Sequence, residues 1–379
     1  MLTKHKKPIK RIAWIGAAFT PYADNDLNSV ADCLHQYVQG LKKLQVHSTL
    51  ILPPGSQSQH HHIVTKGEMQ PTMLIPQNTL TTQSALQNMV DWAWTHQHEF
   101  DLIANLGHDY LPHYMVGKFT TPYISLPNMG AASPSLDAFI QQRAREHPKN
   151  IWFFSKSHRE YLGIPANPLI TQSFDLESFP VATDLATPGG FVWAGRLTKK
   201  KGIERAIQLA RDMGKKLTVA GDKGDGVYLT ELMQKYPRSA FMWDYAGNLS
   251  RDKLFELFSK STALLQTQEA DWKEAFGRVT AEALLCGCPI IYTDCGANAE
   301  IIQRAGGGFM LREEDTPGVL EHTLSLKRRE IQEKAKTLFG QISVARKFLE
   351  QAQALFYPDP DYRITLLAKE VKPQDCLTA

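Results

Sequence analysis

The chain has 379 residues, 43% of them hydrophobic and 21% charged, which suits about two packed domains, with three possible but crowded, and excludes disordered, collagen-like and disulfide-framework chains. A formal charge of +3 is too mild to require a nucleic-acid partner, and no apolar run approaches the roughly 18–20 residues that cross a bilayer. Five cysteines without CxxC spacing (Cys33, Cys286, Cys288, Cys295 and Cys376) read as reduced thiols of a cytoplasmic protein, since a small buried cysteine behaves as a core hydrophobe.

In chain order, short β-like runs alternate with helical patterns, the mark of a parallel α/β architecture. Strands are expected over Arg11–Ala17, Ser48–Leu52, Leu102–Leu106, Pro122–Leu126, Ile151–Ser155 and Pro168–Thr171. Asn28–Leu44 carries Val30, Cys33, Leu34, Tyr37, Val38 and Leu41 at helical spacing, and Gln83–His98 is a second helix. The polar stretch Pro53–Thr82 reads as an extended loop or a pair of edge strands. Its His60-His61-His62 run is a metal tract only if a second ligand cluster joins it, and otherwise a solvated loop. Twelve of the 13 histidines precede residue 160.

Prolines and glycines between Asp175 and Gly190 mark a domain boundary, after which the alternation begins again. Strands at Phe191–Gly195, Leu217–Ala220, Ala240–Asp244, Ala263–Thr267, Pro289–Thr293 and Gly308–Leu311 enclose helices over Gly202–Met213 and from near Val227, Arg251, Gly277 and Ala297. A last helix is expected over Arg329–Tyr357, followed by a polar tail. The expected organisation is therefore a domain over 1–175, a second over 188–340, and a helix and tail over 341–379 that pack back on the first. Such tandem doubly wound sheets bind ligands in the cleft outside their strand C-termini.

Two constellations carry chemistry. In Gly195-Arg196-Leu197-Thr198-Lys199-Lys200-Lys201-Gly202, a turn between strand and helix joins a planar guanidinium and a compact ammonium to a helix N-terminus, a combination that favours an anion. The bland alternative is a solvated basic turn. In Glu274-Ala275-Phe276-Gly277-Arg278-Val279-Thr280-Ala281-Glu282, one carboxylate enters a helix and the second lies eight positions on, inside it. Carboxylates accept hydrogen bonds from sugar hydroxyls, and free N–H groups at a helix start hold phosphate. The alternative is two glutamates that merely complement the helix dipole.

Together with Val219-Ala220-Gly221-Asp222 and Tyr245-Ala246-Gly247-Asn248-Leu249-Ser250, these segments resemble the donor half of the retaining GT-B glycosyltransferases, glycosyltransferase family 4. The likeness covers about residues 188–311. It implies two Rossmann-like domains facing a cleft and transfer of a hexose, with retention, from a nucleotide-diphosphate sugar to a small-molecule or glycan acceptor. No resident cofactor and no metal are implied. Residue by residue, it gives Arg196 and Lys201 to the donor diphosphate, with Gly195 and Gly221 beside it. Leu249 meets the base through its main chain, Glu274 the sugar hydroxyls and Glu282 the ribose. The backbone of Phe276, Gly277, Arg278 and Val279 also faces the diphosphate.

The first half departs from that family pattern. Gly16-Ala17-Ala18, followed by Asp24-Asn25-Asp26, stands where many members carry a Gly-Gly pair, which leaves Gly16 as the donor contact. Asn128 stands where many carry a histidine, and His108, at the end of the preceding strand, is the nearest substitute. A narrower likeness, through Asn105…His108-Asp109-Tyr110 and Trp272-Lys273-Glu274, is to a branch of glucosyltransferases that use UDP-glucose on reduced pterins. It suggests UDP-glucose as donor. The alternative left by the departures is a GT-B protein that binds a nucleotide sugar or a partner without transfer. A dinucleotide oxidoreductase is set aside because Gly16-Ala17-Ala18 lacks the required glycine spacing. The cations Lys4, Lys6, Lys7, Lys10 and Arg11 and the Lys327-Arg328-Arg329 run read as solvated faces rather than a peripheral membrane contact.

Overall fold

The computed structural model describes residues 8–24, 28–69, 84–130, 133–164, 166–184, 189–312 and 318–358. Two parallel sheets organise them. The first contains β1 (Arg11–Ile15), β2 (His47–Leu52), β3 (His62–Val64), β4 (Leu102–Asn105) and β5 (Tyr123–Ser125), in the order β3-β2-β1-β4-β5. The second contains β6 (Phe191–Ala194), β7 (Leu217–Ala220), β8 (Trp243–Gly247), β9 (Ala263–Gln266), β10 (Ile290–Tyr292) and β11 (Gly308–Met310), in the order β11-β10-β9-β6-β7-β8. The central strands β4, β6 and β9 are buried at every position, as a parallel sheet covered by helices on both faces requires. Each sheet changes winding direction beside its first strand, between β1 and β4 and between β6 and β9. The loops after these strands therefore open into one crevice.

Local sequence sets the helix boundaries. The helix Ser29–Lys43 starts where the Asn28 side chain accepts from the Val30 amide at 2.9 Å, and Ser133 caps Pro134–Glu146 through the Leu136 amide at 3.2 Å. The helix Gln341–Phe356 lies against the first sheet, where Phe348 stacks on Trp14 at 5.5 Å between centroids and meets Tyr37 and Trp152. Gly40 allows this approach, because a Cβ there would stand 2.7 Å from the Gln341 carbonyl oxygen. Polar stitches surround the aromatic contact, including Gln341 Nε2 to Gln36 Oε1 at 2.6 Å and Tyr357 Oη to the Asp101 carbonyl at 2.6 Å.

Several expected elements differ. Ile151–Ser155 and Pro168–Thr171 form isolated bridges, Ser125 with Ile151 and Phe153 with Leu169, because each segment pairs over one backbone register before it turns away. The strand expected at Ala240–Asp244 begins only at Trp243, since Arg238–Phe241 makes one helical turn behind Pro237. Arg329–Tyr357 is two helices, Arg328–Phe339 and Gln341–Phe356, broken where Gly340 adopts extended ψ. Within Pro53–Thr82, β3 pairs parallel to β2 as an edge strand. The cationic start at Lys4–Lys7, Asn25 and Asp26, part of the linker before Gly190, and the tail with Cys376 lie outside the described residues. No helix among the described residues is long and apolar enough to cross a membrane.

Candidate active site

A cleft of about 600 Å³ opens between the two sheets. Its second-sheet wall holds Gly195 and Arg196 after β6, Gly221 and Asp222 after β7, and Asn248 and Leu249 after β8, with Arg278, Val279 and Glu282 from the helix Arg278–Leu285. Facing them across the cleft are Phe19, Asn28, Val30, Asn128 and Met129. Seven of the expected donor residues thus line one cavity: Gly195, Arg196, Gly221, Leu249, Arg278, Val279 and Glu282.

The wall is built from close backbone approaches. A Cβ on Gly221, whose φ is +138°, would fall 1.9 Å from the Gly195 carbonyl oxygen, so the ends of β6 and β7 can lie together only without side chains there. The Leu197 amide donates to the Asp222 carbonyl at 2.8 Å, and Tyr245 Oη donates to the Gly221 carbonyl at 2.7 Å. The helix Arg278–Leu285 begins at Gly277 with no side-chain cap, which leaves its first-turn amides available to an anion.

Lys201 and Glu274 meet at the end of this wall rather than in its cleft lining. Lys201 Nζ lies 2.5 Å from Glu274 Oε2 and 4.6 Å from the Trp272 ring centre, while Trp272 Nε1 donates to the same carboxylate at 3.0 Å. Burial alone would raise the Glu274 carboxyl, but the Lys201 charge and the two hydrogen bonds outweigh it and hold the pKa below the ordinary value. Both loops are bound together by Thr267 Oγ1 to the Gly202 carbonyl at 2.7 Å and by Lys200 to Asp271 and Glu269 at 2.6 and 2.8 Å. Phe276 turns into the core against Phe174 and Phe339.

Glu282 belongs to a buried ion network that joins the two halves of the chain. Asp32, on the helix Ser29–Lys43, accepts from both Arg251 and Arg278, and Arg278 Nε lies 3.2 Å from Glu282 Oε1. Desolvation competes with the arginine charges at both carboxylates. At Asp32 the arginines prevail and the pKa falls; at Glu282 burial prevails and it rises. Neither Asp32 nor the side chain of Arg251 stands in a sequence motif that marks it as part of a site. The one available signal was an arginine directly after the Asn248-Leu249-Ser250 loop.

His108 lies outside the cleft lining, with both ring nitrogens buried and without a hydrogen-bond partner among the described residues. Burial lowers its pKa to about 4. His113 packs edge-on at 5.9 Å and is bonded to Ser125 Oγ at 2.8 Å, and His158 is pushed down to about 3 by burial. The adjacent Asp109 is raised to about 6 for the same reason. Asn128 reaches the Leu106 carbonyl, and Gly16 hydrogen-bonds to β2 through the Ile51 carbonyl at 3.0 Å, outside the cleft lining. The thiols of Cys33, Cys286, Cys288 and Cys295 are buried and free, and burial raises the pKa of each.

Residues 186–336 match the family Glycosyl transferases group 1. The match falls in the second half of the chain, which supplies the Gly195–Glu282 wall of the cleft. N-acetyl-alpha-D-glucosaminyl L-malate synthase of Bacillus anthracis is 26% identical over 163 residues, a match that spans 41% of this chain and 40% of that relative's length. Among solved structures, sucrose-phosphate synthase from Thermosynechococcus elongatus superposes with a TM-score of 0.70 at 18% identity, covering 92% of this chain and 100% of that one. HepE of Anabaena in complex with UDP gives 0.67 at 16%, covering 91% and 100%. AviGT4, a glycosyltransferase involved in avilamycin A biosynthesis, gives 0.66 at 18%, covering 92% and 98%. At these identities the likeness establishes the fold, which is GT-B: two parallel α/β domains facing a cleft.

Proposed function

We propose that this protein is a retaining glycosyltransferase of family 4 that moves a hexose from a nucleotide-diphosphate sugar, with UDP-glucose as the donor, to a hydroxyl of a small-molecule or glycan acceptor. The observation that carries this reading is the convergence of Arg196, Leu249, Glu282 and the first turn of Arg278–Leu285 on one cleft. HepE of Anabaena has been captured with UDP-glucose as well as with UDP, which supports the choice of donor.

In this account Leu249 meets the base through its main chain and Glu282 the ribose hydroxyls. Arg196, Lys201 and the helix amides hold the diphosphate. Glu274 orients the sugar hydroxyls, and its pairing with Lys201 keeps it ionised for that task. The bond between the anomeric carbon and the diphosphate oxygen breaks as the acceptor oxygen attacks from the same face. The acceptor proton leaves with the phosphate oxygen. Negative charge grows on the diphosphate, and preorganised donors stabilise it; one such donor is typically worth about 3–4 kcal/mol. These groups supply the electrostatic role that a divalent ion has in other transferases.

A second reading is a protein that binds the nucleotide sugar without transferring it, and the engagement of Glu282 by Arg278 favours it. Slow hydrolysis of UDP-glucose, followed by nuclear magnetic resonance without added magnesium, separates the two. Transfer chemistry releases UDP and α-glucose in wild type and loses this activity in Glu274→Ala. Binding of UDP-glucose with no turnover in either protein favours the second reading.

A further inference from the structure

The His60–His62 run and the helix Ser29–Lys43 meet in a cluster that the transfer chemistry leaves unused. His35 Nδ1 lies 3.4 Å from Asp24 Oδ1 and 3.2 Å from His60 Nε2, and His60 Nε2 lies 3.9 Å from the same carboxylate oxygen. Three atoms able to serve as metal ligands therefore lie within 3.9 Å of one another, drawn from a loop, a helix and a separate strand-connecting segment. A tetrahedral zinc ion, with bonds of about 2.0–2.1 Å, spaces its ligand atoms about 3.3 Å apart. The observed triangle is close to one face of that tetrahedron. Its side chains are 15%, 19% and 5% exposed for Asp24, His35 and His60, so solvent screens the convergence only in part.

The surroundings fix the ligand atoms. Ser58 Oγ donates to Asp24 Oδ1 at 2.7 Å, the Gln59 amide donates to Asp24 Oδ2 at 2.6 Å, and the His60 amide donates to Ser58 Oγ at 3.1 Å. Carboxylate orientation of this kind typifies the outer shell of metal sites. Of the three consecutive histidines, only His60 joins the cluster. His61 Nδ1 pairs with Thr49 Oγ1 at 3.1 Å, and His62 Nδ1 with the His60 carbonyl at 2.8 Å.

We propose that Asp24, His35 and His60 bind one zinc ion, which pins the loop after β2 to the helix that carries Asp32. Two imidazoles and a carboxylate suit zinc among the divalent first-row metals, and three protein ligands leave a fourth corner for water. Asp24 and His35 also border a cavity of about 220 Å³ that reaches Asp32, Arg251, Arg278 and Glu282. The site thus braces the first-half wall from behind. It is independent of the donor reading.

The test is a titration of tag-free, full-length protein, first stripped on a chelating resin, with zinc chloride, and in parallel with cobalt to record its visible ligand-field bands. Binding of about one ion per chain with tetrahedral cobalt bands is expected. His60→Gln and His35→Gln each weaken zinc by more than about 100-fold, while His61→Gln leaves it unchanged. Far-UV circular dichroism checks that the variants fold, and Asp24→Asn repeats the test if one does not. Absence of zinc binding at micromolar concentration would overturn the proposal, leaving a hydrogen-bonded His–His–Asp cluster. Equal loss in His61→Gln would overturn it too, as the mark of a consecutive-histidine chelator.

Discussion

The Lys201 ammonium and the Glu274 carboxylate are 2.5 Å apart, although 73 positions separate them in the chain. Each is one arm of a loop that the second sheet brings to the cleft's end. The pair means that neither charge can be deleted without leaving the other partly desolvated and without its counter-charge. Glu274→Ala and Lys201→Ala are each expected to lower kcat/KM for donor turnover about 100- to 1,000-fold. The double variant should fall far short of the product of the two effects, because the residues act as a unit. Strict additivity in that cycle would show that the pair has no joint role.

Asp32 supports two guanidiniums, Arg251 and Arg278, at the junction of the halves. Asp32→Ala should destabilise the chain by about 3–5 kcal/mol, the usual cost of leaving a buried charge without its partner. Urea unfolding measures this directly. An unchanged midpoint would mean that the arginines find other partners when Asp32 is gone.

The buried histidines predict an acid-sensitive fold. Unfolded imidazoles protonate near pH 6.5, but His108 and His158 stay neutral in the fold down to about 4 and about 3. The unfolded chain therefore binds more protons in that window. The stability contributed by these groups is complete above the unfolded pKa and is lost as pH falls through the folded values, at up to about 1.4 kcal/mol per pH unit per group. Asp109, raised to about 6, acts in the opposite sense over part of the range but is common to wild type and variant. His158→Phe should flatten the fall in urea midpoint between about pH 6.5 and 4. A variant profile parallel to that of wild type would contradict the assignment.

Gly40 sets the seat of the C-terminal helix. Gly40→Ala places a methyl group 2.7 Å from the Gln341 carbonyl and should cost about 1–3 kcal/mol, read as a lowered melting temperature. A melting temperature equal to that of wild type would mean that the helix Gln341–Phe356 can shift without loss.

Much of the second half was legible because its signals are contiguous. Gly195, Arg196, Arg278, Val279 and Glu282 lie in short motifs at strand ends and a helix start, and local geometry alone carries them to the cleft. Relations that need the two halves placed against each other were not legible. Asp32 and Arg278 are 246 positions apart, and nothing in either local pattern names the other. His60 stood in a visible run, yet its partners come from a helix and a loop whose docking no periodicity encodes. The segments Ile151–Ser155 and Pro168–Thr171 looked like strands because their apolar content reports burial, which single bridges share with full ladders.

The central claim, that the cleft holds a nucleotide sugar through Arg196 and Lys201, is tested most directly by calorimetric titration with UDP, GDP and ADP without added magnesium. The account predicts that UDP binds, and that Arg196→Ala and Lys201→Ala each weaken it about tenfold or more while the fold is kept. No heat with any of the three nucleotides, or UDP binding that both variants leave intact, would contradict it.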